Sequence, residues 1–247
     1  MILAAGRGAR MRPLTDTTPK PLLKVLGKPL IEWHLDALAR AGVREVVINT
    51  AWLEDQIVAA LGDGARWGVS IRYSMECRDH GGALETAGGM ANALALLVDD
   101  PDDAFWLVSG DIYAPGFRFD ASAVQRFAQT RCWAHLWLVA NPPYHPGGDF
   151  GLDASGLACG DPAVLSTEPA DPRTDPSRSD GARWTYANLA LCRAALVAPV
   201  APGTRGALGP LLFAAMRARR ISAEVYTGAW ENVGTPGQLE ALNATRC

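Results

Sequence analysis

Short apolar runs alternate along the chain with segments in which apolar residues recur every three or four positions. The apolar runs predict buried strands, and the recurring positions predict amphipathic helices. The predicted strands are residues 1–5, 46–48, 69–73, 105–109, 134–139, 186–192 and 222–226. The predicted helices are residues 30–38, 53–61, 90–97, 120–130, 207–219 and 236–244. Because strands and helices alternate, the sequence predicts an α/β fold with a doubly wound, mostly parallel sheet.

The length and composition fit one large domain, alone or with a small lobe. The chain has 247 residues, of which 49% are hydrophobic, and can bury a sizeable core. A proline-rich break at residues 141–146 divides a single domain, 1–247, into halves 1–140 and 141–247. Four prolines make regular structure unfavourable in the loop 161–181, which we interpret as an insertion rather than a flap over a site.

Charge and cysteine usage narrow the class of partner. The net charge of −3 is not that of a polycation that binds nucleic acid, and no apolar run reaches the roughly 18 residues that a membrane helix needs. The apolar start is soon interrupted by Arg7, unlike a signal peptide. The five cysteines are scattered and odd in number, which indicates reduced thiols, and the four histidines suit structural or surface roles. We expect a cytoplasmic protein that acts on small molecules.

The segment after the first predicted strand combines glycines with positive charge. Its sequence is Gly6-Arg7-Gly8-Ala9-Arg10, and glycines let backbone N–H groups approach an anion closely. Residues 1–28 contain basic side chains at positions 7, 10, 12, 20, 24 and 28 but only one acidic residue, Asp16. This excess of positive charge suits a polyphosphate. The turn is not a dinucleotide fingerprint, because Met11 replaces the third glycine, and the Gly-Lys-Ser/Thr of a Walker A loop is absent.

Asp111 is the candidate metal ligand. It follows the predicted strand 105–109, and ligands of open α/β sheets bind beyond the carboxyl ends of the strands. An aspartate held there can bind Mg²⁺, whereas a lone aspartate can also cap a helix; the phosphate-binding turn in the same chain favours the metal. The acidic segment 99–103 is better interpreted as a solvated loop, since its carboxylates lack a fixed scaffold.

The glycine-rich segment 81–89 precedes the predicted helix 90–97. Such a turn lets a flat ring lie against the backbone. Glu85 or Thr86 can also cap the helix, and a capped helix start is an equally good interpretation of the residues alone.

The N-terminal sequence Leu-Ala-Ala-Gly-x-Gly-x-Arg-Met-x-Pro-Leu-Thr, followed by Thr-Pro-Lys-Pro-Leu-Leu, resembles the signature of the sugar-1-phosphate nucleotidyltransferases. These enzymes make nucleotide-diphospho-sugars from a nucleoside triphosphate and a sugar 1-phosphate. The resemblance spans most of the chain and is strongest in residues 1–111 and 230–235. It implies a Rossmann-like nucleotidyltransferase fold with a small sugar-binding lobe. It also implies that 1–140 is the nucleotide-binding half and 141–247 the sugar-phosphate-binding half.

The resemblance assigns roles to residues that match the motifs. The implied catalytic residues are Arg10, which grips the triphosphate, Lys20, which contacts the reacting phosphate, and Asp111, which binds Mg²⁺. The implied nucleotide-binding residues are Leu3, Ala4, Ala5, Gly6, Gly8, Glu85, Thr86 and Gly88. The implied sugar-phosphate contacts are Asp149 and Asn188; for Asp149, an ordinary glycine-rich turn is an equally good interpretation.

Two departures from the family pattern concern the phosphates and the metal. Ala9 stands where the family usually has threonine, and Asn232 stands where the motif Trp-x-Asp-Val-Gly-Thr has its metal-binding aspartate. Asparagine can still bind Mg²⁺ through its carbonyl oxygen, and Glu231 is a less favoured substitute.

Within the family, the segments 48–53, 84–89 and 148–150 are similar to those of the uridylyltransferases that act on N-acetylmuramate 1-phosphate in cell-wall recycling. The expected substrates are therefore UTP and that sugar phosphate. The alternatives are a guanylyl- or thymidylyltransferase, or a non-catalytic regulator that binds nucleotide-sugars.

Overall fold

The computed structural model describes residues 1–160 and 183–244. The loop predicted at 161–181 and Cys247 lie outside the described residues. The thiols of Cys77, Cys132, Cys159 and Cys192 are all free.

The elements alternate along the chain much as the hydrophobic pattern predicts. The strands are β1 (Ile2–Leu3), β2 (Lys24–Val25), β3 (Lys28–Pro29), β4 (Glu45–Thr50), β5 (Ser70–Met75), β6 (Phe105–Ser109), β7 (Ile112–Tyr113), β8 (Ala134–Val139), β9 (Phe150–Leu152), β10 (Ala158–Cys159), β11 (Arg183–Cys192), β12 (Ile221–Val225) and β13 (Glu231–Asn232). The α-helices are α1 (Leu14–Thr17), α2 (Leu30–Arg40), α3 (Glu54–Leu61), α4 (Glu76–His80), α5 (Glu85–Leu97), α6 (Ala121–Ala128), α7 (Leu208–Arg217) and α8 (Pro236–Ala244). The predictions for β6, β8 and α8 match their observed bounds.

One nine-stranded sheet organises the chain, with the order β10-β9-β11-β6-β1-β4-β5 and with β8 joining β11 to β12. Strands β6, β1, β4 and β5 are parallel, and Ile2 of β1 pairs with both Ile48 and Val108. The long strand β11 runs antiparallel to its neighbours β6, β8 and β9. The carboxyl ends of β1, β4 and β6 therefore open on one edge of the sheet.

The central strands are buried on both faces, which explains their continuous apolar sequences. In β6, Trp106 and Val108 belong to a core that also holds residues of α2, α3 and α6. Phe105 and Leu107, which alternate with them, belong to a second core with residues of α5 and α7. Helices therefore cover both faces, and the predicted α/β fold class is confirmed.

Helix α5 begins five residues earlier than the predicted helix, at Glu85 rather than at residue 90. Of the two interpretations left open for the glycine-rich segment, a side-chain cap at Glu85 or Thr86 is not observed, because the N-cap residue is Leu84 and no side chain caps the helix. Glycine is a poor helix former, but here Gly88 and Gly89 lie where neighbouring groups leave no room for a Cβ. Tertiary packing therefore overrides local propensity. Helix α4 and the paired short strands β2–β3 and β7–β13 were not predicted from the sequence.

None of the helices in residues 1–160 and 183–244 is both long enough and apolar enough to cross a membrane.

Candidate active site

Two adjoining clefts lie at the edge where β1, β4 and β6 end. The smaller cleft has a volume of about 430 Å³ and contains the N-terminal glycine turn, Lys20 and Asp111. The larger cleft has a volume of about 700 Å³ and extends over β11 and α7. Five residues contribute to the lining of both clefts: Leu3, Arg10, Glu85, Thr86 and Ser109. A long ligand can therefore extend from one cleft into the other.

Most of the predicted site residues line these clefts. The smaller cleft is lined by Leu3, Ala4, Ala5, Gly6, Gly8, Arg10, Lys20, Glu85, Thr86 and Asp111. The larger cleft adds Asp149, Asn188 and Asn232. Gly88 lines neither cleft. It is buried where an added Cβ would lie against the carbonyl oxygen of Thr204, so the structure gives it a packing contact.

The glycine turn is fixed by its own chain. Gly8 has φ 65°, in the left-handed region that favours glycine, and an added Cβ would lie 2.9 Å from the Thr15 methyl group. The Thr15 hydroxyl donates a hydrogen bond to the Gly8 carbonyl at 2.8 Å. Met11, which replaces the third glycine of a dinucleotide fingerprint, is fully buried. The turn is therefore anchored by Thr15 and Met11, whereas Arg10, which precedes Met11, remains exposed.

Lys20 and Asp111 are 91 residues apart in the sequence and form an ion pair, with 2.6 Å between Lys20 Nζ and Asp111 Oδ2. The Lys20 side chain is 9% exposed and that of Asp111 33% exposed. Gly110 allows this approach, because its N–H donates to the Leu3 carbonyl at 2.8 Å and an added Cβ would lie 2.9 Å from that oxygen. A cation and a carboxylate are thus held together on the edge of the cleft.

Asn232 lies beside Asp111. It pairs with Ile112 in the β7–β13 ladder, and the next residue, Val233, donates its N–H to the Asp111 carbonyl at 3.0 Å. The Asn232 Oδ1 atom is buried and has no hydrogen-bond partner within the described part of the chain. A buried, unpaired oxygen is unfavourable, so this atom is suited to bind a ligand or a metal ion.

Glu231 is engaged elsewhere. Its Oε1 atom accepts hydrogen bonds from the Tyr144 hydroxyl at 3.0 Å and from Gln238 Nε2 at 3.3 Å. Burial and this bond to Glu231 raise the pKa of Tyr144 to about 12, so the phenol stays a donor at neutral pH. Of the two neighbours considered from the sequence, Asn232 is therefore the one with a buried oxygen that has no partner among the described residues. Residues 1–160 and 183–244 contain no cluster of three His, Cys, Asp or Glu side chains that could hold a metal.

The start of α5 contains a backbone conformation that is unusual for a side chain. Glu85 has φ 61°, and its carboxylate lies 2.8 Å from the Arg205 guanidinium. The segment that includes Arg205 is bound to the helix, because Ala87 N–H donates to the Gly206 carbonyl and Gly206 N–H to the Leu84 carbonyl, both at 2.9 Å. Left-handed non-glycine residues cost about 1 kcal/mol or more and cluster at functional sites, which supports a role for Glu85.

On the other side of the larger cleft, Asn188 has φ 57° at a register shift in β11. Asp149 does not have free oxygens there: Oδ2 accepts from the Tyr186 N–H at 2.8 Å, and Oδ1 lies 3.0 Å from His145 Nε2. Arg183 donates to the carbonyls of residues 147, 148 and 149 and so fixes the loop. His145 and Arg183 were not predicted from the sequence; their only signals there are that His145 is close to Asp149 and that Arg183 lies just before the predicted strand 186–192.

The strand that leaves Asp111 also contacts a buried histidine, which makes stability depend on pH. His34 of α2 is 3% exposed, and its Nε2 atom lies 3.0 Å from the Ile112 carbonyl. Burial lowers the pKa of His34 from 6.5 to about 4. Between these values the unfolded chain binds a proton that the native chain does not, so stability is complete above about pH 6.5 and falls as the pH is lowered.

We therefore expect His34 to lower the free energy of unfolding by roughly 2 kcal/mol when the pH falls from about 7.5 to about 5. The measurement is urea unfolding of the wild type and of His34→Gln at both pH values. The raised pKa of Glu76 acts in the opposite direction but is present in both proteins, so the difference isolates His34. Equal losses in the two proteins would contradict the assignment.

Comparison with known proteins agrees with this geometry. Residues 1–155 match the nucleotidyl transferase family. The chain is 43% identical to the N-acetylmuramate alpha-1-phosphate uridylyltransferase of Neisseria meningitidis serogroup B, over 99% of this chain and 96% of that protein. It is 29% identical to the glucose-1-phosphate thymidylyltransferase of Streptomyces griseus, over 98% of this chain and 64% of that protein.

The fold is shared with a solved structure from Bacillus anthracis that is described as a glucose-1-phosphate thymidylyltransferase. Its TM-score is 0.75 at 19% identity, and the match covers 99% of this chain and 93% of that one. At this identity the likeness concerns the fold alone, and it agrees with the Rossmann-like architecture predicted from the sequence.

Proposed function

The chain belongs to the sugar-1-phosphate nucleotidyltransferases of the nucleotidyl transferase family, and from that premise we propose that it joins UTP and N-acetylmuramate 1-phosphate. The products are the UDP-sugar and pyrophosphate. The observation that supports this substrate pair most strongly is the 43% identity to the Neisseria uridylyltransferase along nearly the whole of both chains. We place the reaction in the cytoplasm, in the recycling of cell-wall sugars, because UTP is a cytoplasmic substrate and N-acetylmuramate is a cell-wall sugar.

The reaction needs positioning and charge stabilisation rather than a protein nucleophile. A phosphate oxygen of the sugar 1-phosphate attacks the α-phosphorus of UTP and forms the new P–O bond. The bond from the α-phosphorus to the bridging oxygen breaks, and pyrophosphate leaves with its electron pair. Because the attacking group is already an anion, no base has to remove a proton. The difficulty is to bring two anions together, and cationic side chains reduce it.

Two cationic side chains of the smaller cleft, Arg10 and Lys20, supply this assistance. Arg10, exposed on the glycine turn, is placed to bind the triphosphate, and the backbone of residues 3–6 and 8 lines the nucleotide. Lys20 is placed to contact the reacting phosphate, since its ammonium reaches the cleft beside Asp111. Glu85 and Thr86, at the start of α5, are placed to contact the base and ribose. In this proposal 1–140 forms the nucleotide-binding half and 141–247 the sugar-phosphate-binding half.

The donor set beside Lys20 fits Mg²⁺. The Asp111 carboxylate and the unpaired Oδ1 atom of Asn232 are hard oxygen ligands of the kind that Mg²⁺ prefers. We infer that these two side chains hold the ion together with substrate oxygens. When bound, Mg²⁺ neutralises phosphate charge and orients the phosphates.

The larger cleft suits the sugar. N-acetylmuramate has a carboxylate that N-acetylglucosamine lacks, so its site needs a hydrogen-bond donor for that group. The basic side chains that line this cleft in the described residues are Arg10, His145 and Arg183. Arg10 faces the phosphates, and Arg183 is bound to the carbonyls of its own loop. We assign the sugar carboxylate to His145, whose imidazole ring is oriented by Asp149. We assign the sugar phosphate to Asn188.

Replacing His145 by glutamine is expected to raise KM for N-acetylmuramate 1-phosphate about tenfold, the scale of a hydrogen bond to a charged group. The KM for UTP should stay within about twofold, because His145 does not line the smaller cleft. The measurement is steady-state kinetics with each substrate varied in turn, and with N-acetylglucosamine 1-phosphate as the substrate without the carboxylate. His80→Gln, at an exposed histidine outside both clefts, is the control. An unchanged preference between the two sugars would contradict the assignment.

The proposed activity is tested by pyrophosphate release with Mg²⁺, UTP, GTP, dTTP or CTP and a panel of sugar 1-phosphates. The expected result is the highest kcat/KM for UTP with N-acetylmuramate 1-phosphate. A higher value for dTTP would favour a thymidylyltransferase, the second candidate, which is supported by the 29% identity to the Streptomyces enzyme. Binding of nucleotide-sugar without turnover of any pair would contradict an enzymatic role and favour a regulator.

A further inference from the structure

Glu76 is a fully buried carboxyl group that the mechanism above does not use. It is the first residue of α4, and its relative exposure is 0%. Its Oε1 atom accepts a hydrogen bond from Asn49 Nδ2 at 2.7 Å, and its Oε2 atom accepts one from the Leu84 N–H, also at 2.7 Å. Burying a carboxyl group is costly unless it is well hydrogen-bonded, and both oxygens of Glu76 are satisfied by fixed donors.

Asn49 continues this network to the opposite side of the smaller cleft. Its Oδ1 atom accepts the N–H of Ala4 at 3.1 Å, which also donates to the Asn49 backbone carbonyl at 3.2 Å. Ala4 follows β1 and leads into the glycine turn, whereas Leu84 immediately precedes α5. The chain of hydrogen bonds from Ala4 through Asn49 and Glu76 to Leu84 therefore connects the two segments between which the nucleotide is proposed to lie.

Helix α5 packs directly on this network. A Cβ at Gly89 would lie 2.5 Å from Glu76 Oε1 and 2.7 Å from Asn49 Nδ2. Glycine at this helical position therefore has a physical reason: the pair occupies the space that a side chain would need. Any change in the geometry of Asn49 and Glu76 would displace the start of α5, where Glu85 and Thr86 line the cleft.

We propose that the hydrogen-bonded pair of Asn49 and Glu76 is a positioning device that sets the spacing between the phosphate-binding turn and the start of α5, and thereby the affinity for the nucleotide. Glu76 lines neither cleft, so it acts through Leu84 and through Asn49, which lines the smaller cleft. The inference rests on the proposed function, because it takes the nucleotide to bind between these segments. Burial raises the pKa of Glu76, but its two donors oppose that shift, which is consistent with an acceptor role rather than proton transfer.

Because the direction of each hydrogen bond is known, the proposal can be tested by exchanging the amide and the carboxylate between positions 49 and 76. In Glu76→Gln the amide has one oxygen for the two donors from Asn49 and Leu84, so a donor faces a donor whichever way the amides are turned. In Asn49→Asp two carboxylates face each other. In the double variant Asn49→Asp/Glu76→Gln, the carboxylate introduced at position 49 accepts from Ala4 and from the amide at position 76, and the oxygen of that amide accepts from Leu84. The double variant therefore restores every hydrogen bond with the carboxylate on the other residue.

The test measures two quantities for the wild type, both single variants and the double variant. The first is the dissociation constant for UTP with Mg²⁺, determined calorimetrically well below the unfolding temperature. The second is the rate of amide hydrogen exchange in the ligand-free peptide around residues 83–88. Each single variant should weaken UTP binding about tenfold and speed the exchange, as expected when a buried donor loses its acceptor. The double variant should return both quantities to within about twofold of the wild type.

Two results would overturn the proposal. One is single variants that unfold at lower temperature but bind UTP and exchange like the wild type, since the pair would then only stabilise the fold. The other is a double variant no better than the single variants, including the case in which none of them folds, because matched hydrogen-bond direction would then not be what matters. If the wild type bound no nucleotide, the proposed function would be wrong. The amide hydrogen exchange data would still test whether the pair sets the spacing between the phosphate-binding turn and α5.

Discussion

Replacing Lys20 by alanine is expected to lower kcat at least ~10²-fold, the scale seen when one charge-stabilising donor is removed from an active site. Lys20 is the buried cation of the smaller cleft, and its ammonium is held 2.6 Å from Asp111 rather than free in solvent. A water molecule in its place cannot supply a fixed positive charge to the phosphates. The effect should appear in single-turnover rates at saturating UTP, which report the chemical step.

Lys24→Ala is the matched control, because Lys24 is an exposed lysine four residues away that lines neither cleft. It should keep its rate within about twofold of the wild type. The thermal unfolding of both variants shows whether a lost rate reflects a lost fold. If Lys20→Ala folds and turns over like Lys24→Ala, Lys20 does not act on the reacting phosphate.

Replacing Asp111 by asparagine is expected to lower kcat by at least ~10²-fold as well, for a different reason. The substitution keeps the size and one oxygen but removes the charge that is paired with Lys20 and available to Mg²⁺. The concentration of Mg²⁺ that gives half of the maximal rate should rise, because the remaining ligands would be two neutral amide oxygens. A magnesium titration of the steady-state rate measures both effects.

Asp99→Asn, in the exposed acidic loop that follows α5, is the control for loss of one negative charge. Its magnesium dependence should match that of the wild type. A magnesium titration of Asp111→Asn that matches that of the wild type would contradict the metal assignment even if kcat were low. Asp111 would then only form the ion pair with Lys20 and would not bind the metal.

The parts of the site that the sequence predicted are those that local rules determine. The turn at Gly6 to Arg10 follows a strand directly, and Asp111 follows another, so the rule for parallel strands brings both to one edge. Lys20 was assigned by resemblance, and the structure then brings it to Asp111. The turn, Asp111 and Lys20 could therefore be assigned to one site without knowledge of any contact between distant segments.

The residues that sequence reasoning missed depend on contacts among several segments. Glu76 lies in a single short turn of helix that has no hydrophobic period, and its burial follows from the packing of Asn49, Leu84 and Gly89 around it. The antiparallel direction of β11 could not be predicted from the sequence either, because an apolar run predicts a strand but not its direction in the sheet. Gly88 shows the same limit: a glycine in a glycine-rich segment suggests ligand contact, whereas the structure shows close packing on residues 204–206.

The proposed function depends on the cationic N-terminal turn and Asp111, which together bring two anionic substrates to the same edge of the sheet. The most direct test is a crystal structure of the protein with a non-hydrolysable UTP analogue and Mg²⁺. We expect the triphosphate to lie against the backbone of Gly6 and Gly8, with Arg10 and Lys20 in contact with it and the metal ion bound to Asp111. A triphosphate bound away from this turn would contradict the proposed function.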